Sequence, residues 1–241
     1  MHQLPKTLDL LKTSWTQYKQ HWNDLMRVSI WMLWIAAIQS VGTAIFLFNK
    51  NSQSPLLLLV FIPIIPLAIL VGTRITLAGL NIGKNEPVDS DSELWKQACR
   101  AFLPIVWLSV LQSLCILGAT LLFVIPAIYL SIGFMFASMI LLDQGTRGTH
   151  ALSAGLDLVR GRWWATFWRA FAGIFLIMVP TMIASAILFG ILGGISGVDA
   201  INAGHPLVES AQALFQGAIQ TLVIPLVVLF QVNLYQALRK T

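Results

Sequence analysis

Charge is what this sequence has least of. Charged residues make up 10% of the 241 positions, where a soluble domain carries about 25%. The ten carboxylates are Asp9, Asp24, Glu86, Asp89, Asp91, Glu93, Asp143, Asp157, Asp199 and Glu209, and none lies inside a long apolar run. With 57% hydrophobic residues, this deficit excludes an ordinary soluble domain and indicates an integral membrane protein. Cysteine is nearly absent as well. Cys99 and Cys115 would lie about 24 Å apart on one helix, too far to bridge, so a disulfide framework is excluded and both read as apolar fillers. His2, His21, His150 and His205 stand apart from one another and from cysteine, without metal-ligand spacing. Paired carboxylates, a serine nucleophile elbow and a phosphate-cradling glycine loop ending in Lys-Ser/Thr are also missing. The expectation is a non-catalytic chain that needs no metal and no cofactor. The first 24 residues are amphipathic and lack a small-residue cleavage site, so no secretory signal is expected.

Long apolar runs are present in their place, at 26–48, 55–80, 102–117, 119–142, 167–192 and 211–237. A bilayer core needs about 20 apolar residues, which predicts six spans. The third and fourth are separated only by Gly118, so a re-entrant hairpin over 102–142 competes with two full spans. Thirteen Lys and Arg residues fall before span one, between spans two and three, between four and five, and after six. Lys50 alone falls on the other side, and Arg74 lies within a span. That asymmetry predicts an inner-membrane protein with both termini cytoplasmic. The predicted outer connections are 49–54, a tight turn near Gly118, and a Gly-rich loop from Gly193 to Ser210. All nine tryptophans fall in the predicted cytoplasmic half, before or early in the odd-numbered spans. The net charge of +5 would suggest nucleic acid in a soluble chain. Here the cations flank apolar segments, so membrane phospholipid is the expected partner and nucleic acid is not.

The connections share a pattern. Leu8, Leu11, Trp15, Tyr18, Trp22 and Leu25 recur at helical steps of three and four, with Lys12 and Lys19 off that face. Leu152, Leu156, Val159 and Trp163 repeat it at an offset of 141, and Asp91, Trp95, Ala98 and Phe102 repeat it more weakly at an offset of 80. Each segment leads into a hairpin whose second span carries proline: Pro63 and Pro66, Pro126, and Pro225. The chain thus reads as one all-α domain, a polytopic bundle of six transmembrane helices. It divides into three repeats of an amphipathic interfacial helix plus a helical hairpin, at about 6–83, 90–145 and 148–241. The prolines are expected to kink their helices, and a groove between kinked repeats is one outcome of such bending. Gly72, Thr73, Ala78 and Gly79, or Ala170, Ala172 and Gly173, would allow close helix contacts.

This layout supplies the candidate site residues. Lys12, Lys19, Arg147, Arg160, Arg162 and Arg169, framed by Trp15, Trp22, Trp163 and Trp164, are placed to meet anionic headgroups or a membrane or soluble protein partner. The bland reading of the same helices is that they cap the bundle and connect the spans. Arg74 is the one ionisable residue within a span, expected to snorkel or find a carbonyl, or else to meet a substrate anion. Gln112, Gln220 and Asn233 are candidate interhelical hydrogen-bonders, as are Gln39 and Gln231.

Val124-Ile-Pro-Ala-Ile-Tyr-Leu, Asp143-Gln-Gly, the run from Ala151 to Trp164 and the terminal Leu234-Tyr235-Gln236-Ala237-Leu238-Arg239 together resemble a known family. They are similar to the membrane domain of glycerophosphoryl diester phosphodiesterases and to YciC-like inner-membrane proteins of unknown function. The resemblance covers most of the chain in layout, with its sharp motifs in the second half. This chain has Gly155-Leu156 where that family commonly has Ser-Trp. The resemblance implies a membrane module without hydrolase activity. Two other classes stand beside lipid engagement: a small-molecule or lipid transporter with a groove between repeats, and the membrane part of a phosphodiesterase whose catalytic part is on another chain.

Overall fold

The structure is a computed structural model and describes residues 5–48, 62–122, 124–196 and 206–240. Among these residues there are ten helices and no strand. They are α1 Thr7–Gln20, α2 Trp22–Ser29, α3 Trp31–Phe48, α4 Ile64–Gly83, α5 Asp91–Leu122, α6 Val124–Phe134, α7 Ala137–Gln144, α8 Thr149–Val159, α9 Trp163–Ser196 and α10 Pro206–Arg239. Six stretches are long and apolar enough to cross a bilayer: Trp22–Ile45, Ile64–Gly83, Asp91–Leu121, Ile125–Gln144, Trp163–Ile191 and Val208–Arg239. The expected all-α polytopic bundle is therefore what the chain forms. Pro5 and Lys240 line the same cavity, so both described chain ends lie on one face, the basic face.

Several local expectations are corrected. α5 runs through Gly118 without a turn, and the connection to α6 falls at 123, outside the described residues. The part of α5 from Phe102 to Leu122 is about 31 Å long, and Ile125–Gln144 is a further stretch long and apolar enough to cross, so length argues for full spans over 102–142 and against a re-entrant hairpin. α9 continues to Ser196 and α10 starts at Pro206, so both ends of the expected Gly193–Ser210 loop are helical. Residues 197–205 and the predicted 49–54 connection, with Lys50, lie outside the described residues.

The prolines behave differently from one another. Pro63 precedes α4, Pro66 is its third residue, and Pro126 is the third residue of α6. In a first turn the backbone N–H has no helical acceptor, so proline's missing donor and fixed φ cost nothing there. These three start helices; they do not kink them. Of the four expected kink sites only Pro225 lies beyond the first turn of its helix, joined by Pro104 in α5 and Pro180 in α9.

The three amphipathic segments also diverge. Gly161, at φ 78°, divides α8 from α9, and His21 divides α1 from α2. Asp91–Phe102 has no such break and continues directly into its span as part of α5. Its start is set by Ser90, whose hydroxyl accepts the Glu93 N–H at 3.4 Å as an N-cap. α1 is rotated relative to its sequence pattern: Leu10, Ser14 and Tyr18 dock, while Leu8, Trp15 and Trp22 stay exposed.

α10 is the central post, packing against α1, α2, α3, α4 and α9. Small residues set how closely its neighbours approach. A Cβ added at Gly217 would collide with the Ala36 side chain on α3, one at Gly173 on α9 would strike the Phe230 ring, and one at Gly79 on α4 would lie 2.9 Å from Val228. Gly79 and Gly173 thus act as expected, whereas Gly72 has nothing near it. α8 crosses α6 where a Cβ on Gly155 would meet the Gly133 carbonyl. α5 and α9, by contrast, turn long apolar rows outward, including Leu103, Leu114, Leu121, Phe171 and Ile187. Hydrocarbon chains are the medium those rows suit.

Gly217→Val should separate α3 from α10 and lower stability by about 1–3 kcal/mol, the usual cost of overpacking. Gly72→Ala should be neutral or slightly stabilising. Thermal unfolding in detergent distinguishes the two, and equal effects would contradict the packing described.

Candidate functional site

The basic face is organised by three helix C-termini. α4, α7 and α10 end there, each presenting unpaired carbonyls and a partial negative charge. α7 stops because Gly145 takes the left-handed conformation at φ 71°, its N–H returning to the Leu141 carbonyl at 3.0 Å. This leaves Asp143 aimed inward, its side chain only 3% exposed. Lys84 Nζ pairs with Oδ1 at 2.6 Å, Arg239 Nη1 with Oδ2 at 2.6 Å, and the Tyr235 hydroxyl donates to Oδ2 at 2.9 Å. Gln144 Nε2 donates to that hydroxyl at 3.1 Å. One carboxylate thus ties the ends of α4, α7 and α10 together. The sequence holds two signals of this: a lone carboxylate closing an apolar run, and Tyr235 and Arg239 four residues apart at the end of the last helix.

Arg74 is the second buried ion. It is fully buried and pairs with the Asp91 carboxylate in the first turn of α5. Its guanidinium lies 4.3 Å from the Trp95 ring centroid and 5.9 Å from that of Trp31, and the two indoles meet edge to face at 5.3 Å. A cation in an apolar setting gains from both partners. Neither snorkelling nor a carbonyl holds Arg74, and the place of a substrate anion is taken by Asp91. Nε and Nη1 have no partner.

Asn233 is a fastener. Its amide nitrogen donates to Ser14 Oγ at 2.9 Å and Gln17 Oε1 at 2.8 Å, pinning α1 to α10. The Tyr18 hydroxyl donates to the Leu222 carbonyl at 2.9 Å, three residues before Pro225. Burial pushes the Tyr18 pKa up to about 12, so the phenol stays neutral and able to donate at physiological pH. These polar contacts account for α1's rotation. Gln112 sits half-buried on α5. Gln220 lines a cleft of about 480 Å³ with Thr181, Ser185 and Gln216. It lies about 28 Å along α10 from Arg239, a full hydrocarbon thickness away, so this cleft belongs to the opposite end. Between the two ends Val71, Ile75, Ala78, Leu229 and Phe230 are fully buried.

The predicted headgroup residues divide into two groups. Lys12, Lys19, Arg147 and Arg160 are exposed, with Lys19 lying 5.8 Å over the Trp15 ring. Trp15, Trp22 and Trp164 are exposed too, joined by Trp107 and Trp168, which the sequence pattern does not single out. Arg169 is instead turned inward. Its Nε donates to the Pro5 carbonyl and its Nη1 to the Ala165 carbonyl, both at 2.9 Å, because the chain entering α1 crosses α9 there. Trp163 is also structural, stacked between Tyr129 and Phe167 with Nε1 donating to the Tyr129 carbonyl at 3.2 Å. Arg162 is half-buried. Arg147 shares a groove of about 240 Å³ with Arg100, Gln97, Leu77, Pro104, Leu141 and Leu142. In the sequence Arg100 is no more than one of the basic flanks.

No family model matches the chain, and no curated protein and no solved structure is similar enough to stand as a relative. The resemblance to phosphodiesterase membrane domains therefore rests on its motifs alone.

Asp91→Asn should leave Arg74 as an uncompensated buried cation and cost about 3–5 kcal/mol. Asp91→Asn with Arg74→Leu should recover most of that loss. Asp143→Asn should cost about 2–3 kcal/mol, less because Lys84 and Arg239 reach water. Unfolding titrations of the single and double variants check both; additive losses at Arg74 and Asp91 would refute the pairing.

Proposed function

We propose that this is a non-catalytic multi-pass protein of the inner membrane whose basic face lies at the cytoplasmic leaflet and holds anionic phospholipid. One observation carries the reading. Lys12, Lys19, Arg100, Arg147 and Arg160 are exposed on or near this face, and none has a carboxylate partner among the described residues. Other cations on this side are tied within the chain: Arg74 pairs with Asp91, and Lys84 and Arg239 share Asp143. What remains is a layer of unneutralised positive charge edged by exposed Trp15, Trp22, Trp107, Trp164 and Trp168. Indoles favour the headgroup level, and each cation near an anionic surface is worth about 1 kcal/mol.

The excess of Lys and Arg on this side supports a cytoplasmic orientation. The separate amphipathic helices before the first and third hairpins support a three-unit origin, with the second helix fused into its span. Among the described residues, the fully buried Val71, Ile75, Ala78, Leu229 and Phe230 between the two ends favour lipid engagement over a continuous passage.

Purified protein should retain phosphatidylglycerol or cardiolipin in preference to phosphatidylcholine, as read by native mass spectrometry from mixed nanodiscs. Lys12→Gln, Lys19→Gln and Arg160→Gln together should cut that preference roughly 100-fold at low salt, about 5-fold per charge. Equal retention of the two lipid classes by the wild-type chain would sink the reading. For orientation, a reporter active only outside the cytoplasm should be silent at Gly148 and active at Asp199.

A further inference from the structure

We propose that the groove between α4, α5 and α7 is a discrete site for one phosphate group, that of a phospholipid, held between Arg100 and Arg147. The inference rests on the lipid-engaging reading above and gives it an address.

The two arginines come from different elements, Arg100 from the first half of α5 and Arg147 from the loop after α7, yet they line one groove of about 240 Å³. No carboxylate lines it, and neither arginine makes an ion pair or side-chain hydrogen bond among the described residues. Two guanidiniums lining one groove without a carboxylate between them gain nothing from each other. An anion between them gives each a partner, and guanidinium forks match phosphate oxygens geometrically. Gln97, the other polar side chain there, is already committed to Asp89 at 3.0 Å.

The remaining walls say which phosphate. Leu77, Ala101, Pro104, Leu141 and Leu142 are apolar, a poor setting for a free, fully hydrated ion but a good one for glycerol and the first acyl carbons. Trp107 is exposed, and its indole Nε1 lies beside Gly148, the residue after Arg147. An indole there suits the ester level of a lipid. The larger cavities of about 510 and 400 Å³ on the same face are less suitable for an anion. The first offers a single cation, Lys240, and in the second Lys84 and Arg239 share Asp143 beside Lys240, so neither brings two arginines free of a carboxylate to one groove.

Delipidated full-length protein is titrated in detergent with dioctanoylphosphatidylglycerol, with dioctanoylglycerol, and with inorganic phosphate, and bound species are counted by native mass spectrometry. Saturable binding of one phosphatidylglycerol, with dioctanoylglycerol and inorganic phosphate each weaker, is the expected result. Arg100→Gln and Arg147→Gln should each weaken the lipid roughly 10-fold. The lysine variants at the same positions should fall between, and Lys96→Gln, which removes a cation already paired with Glu93, should bind this lipid as the wild type does. Unchanged melting temperatures of the single variants keep the comparison clear of folding defects. Three outcomes overturn the site: wild-type affinity in both glutamine variants, equal affinity for dioctanoylglycerol, or inorganic phosphate binding as tightly as the lipid. If both glutamine variants keep wild-type affinity while the nanodisc preference for anionic lipid persists, the address is wrong and the broader reading stands. If that preference is absent in the wild-type chain, the broader reading fails first.

Discussion

A single carboxylate shared by three helix ends is the constraint on which the basic face depends. Helices that end side by side place their negative dipole ends together, and this bundle brings three of them to one point. Asp143 would worsen that repulsion if left alone. Lys84, Arg239 and the Tyr235 hydroxyl reverse the balance, so the carboxylate becomes the knot that draws α4 and α10 onto α7. Each hairpin is joined to the other two at this one residue. The Arg74–Asp91 pair makes a second tie between the first and second hairpins, insulated by Trp31 and Trp95.

These internal ties bear on function because they sort the cations. The sequence shows a uniform basic border, whereas the folded chain divides it into charges that are spent and charges that are not. Arg169 closes onto the Pro5 carbonyl and contributes to docking α1. Lys12, Lys19 and Arg160 stay on the surface, and Arg100 and Arg147 line one groove with Leu77, Ala101, Pro104, Leu141 and Leu142. Arginines and apolar walls in one groove match the chemistry of a phospholipid's upper half. Indoles at the rim complete the match.

How much of this is legible in the sequence depends on whether the signal is local. Six spans and their flanking cations can be read because hydrophobic runs and charge asymmetry lie along the chain. Kinks expected at Pro63, Pro66 and Pro126 do not form because a proline's effect depends on its place within a helix, and apolar composition does not mark where a helix begins. The docked face of α1 keeps Tyr18 but takes Leu10 and Ser14 beside Leu11 and Trp15 of the pattern, since spacing cannot register that Asn233, more than two hundred residues away, needs Ser14 and Gln17. Arg100 is silent in the sequence for the same reason: its partner across the groove is brought there by α7, and nothing in the spacing of the two arginines shows it. Gly217, which admits α3, carries no local mark either.

The central claim is that unneutralised arginines on the basic face touch lipid phosphate. Solid-state NMR recoupling between guanidinium 15N of the arginine-labelled protein and 31P of phosphatidylglycerol bilayers tests it most directly. Dephasing characteristic of direct N–H···O contact is expected for a subset of arginine signals, with the buried Arg74 signal unaffected. Absence of dephasing from every arginine, in bilayers where the protein is folded, would contradict it.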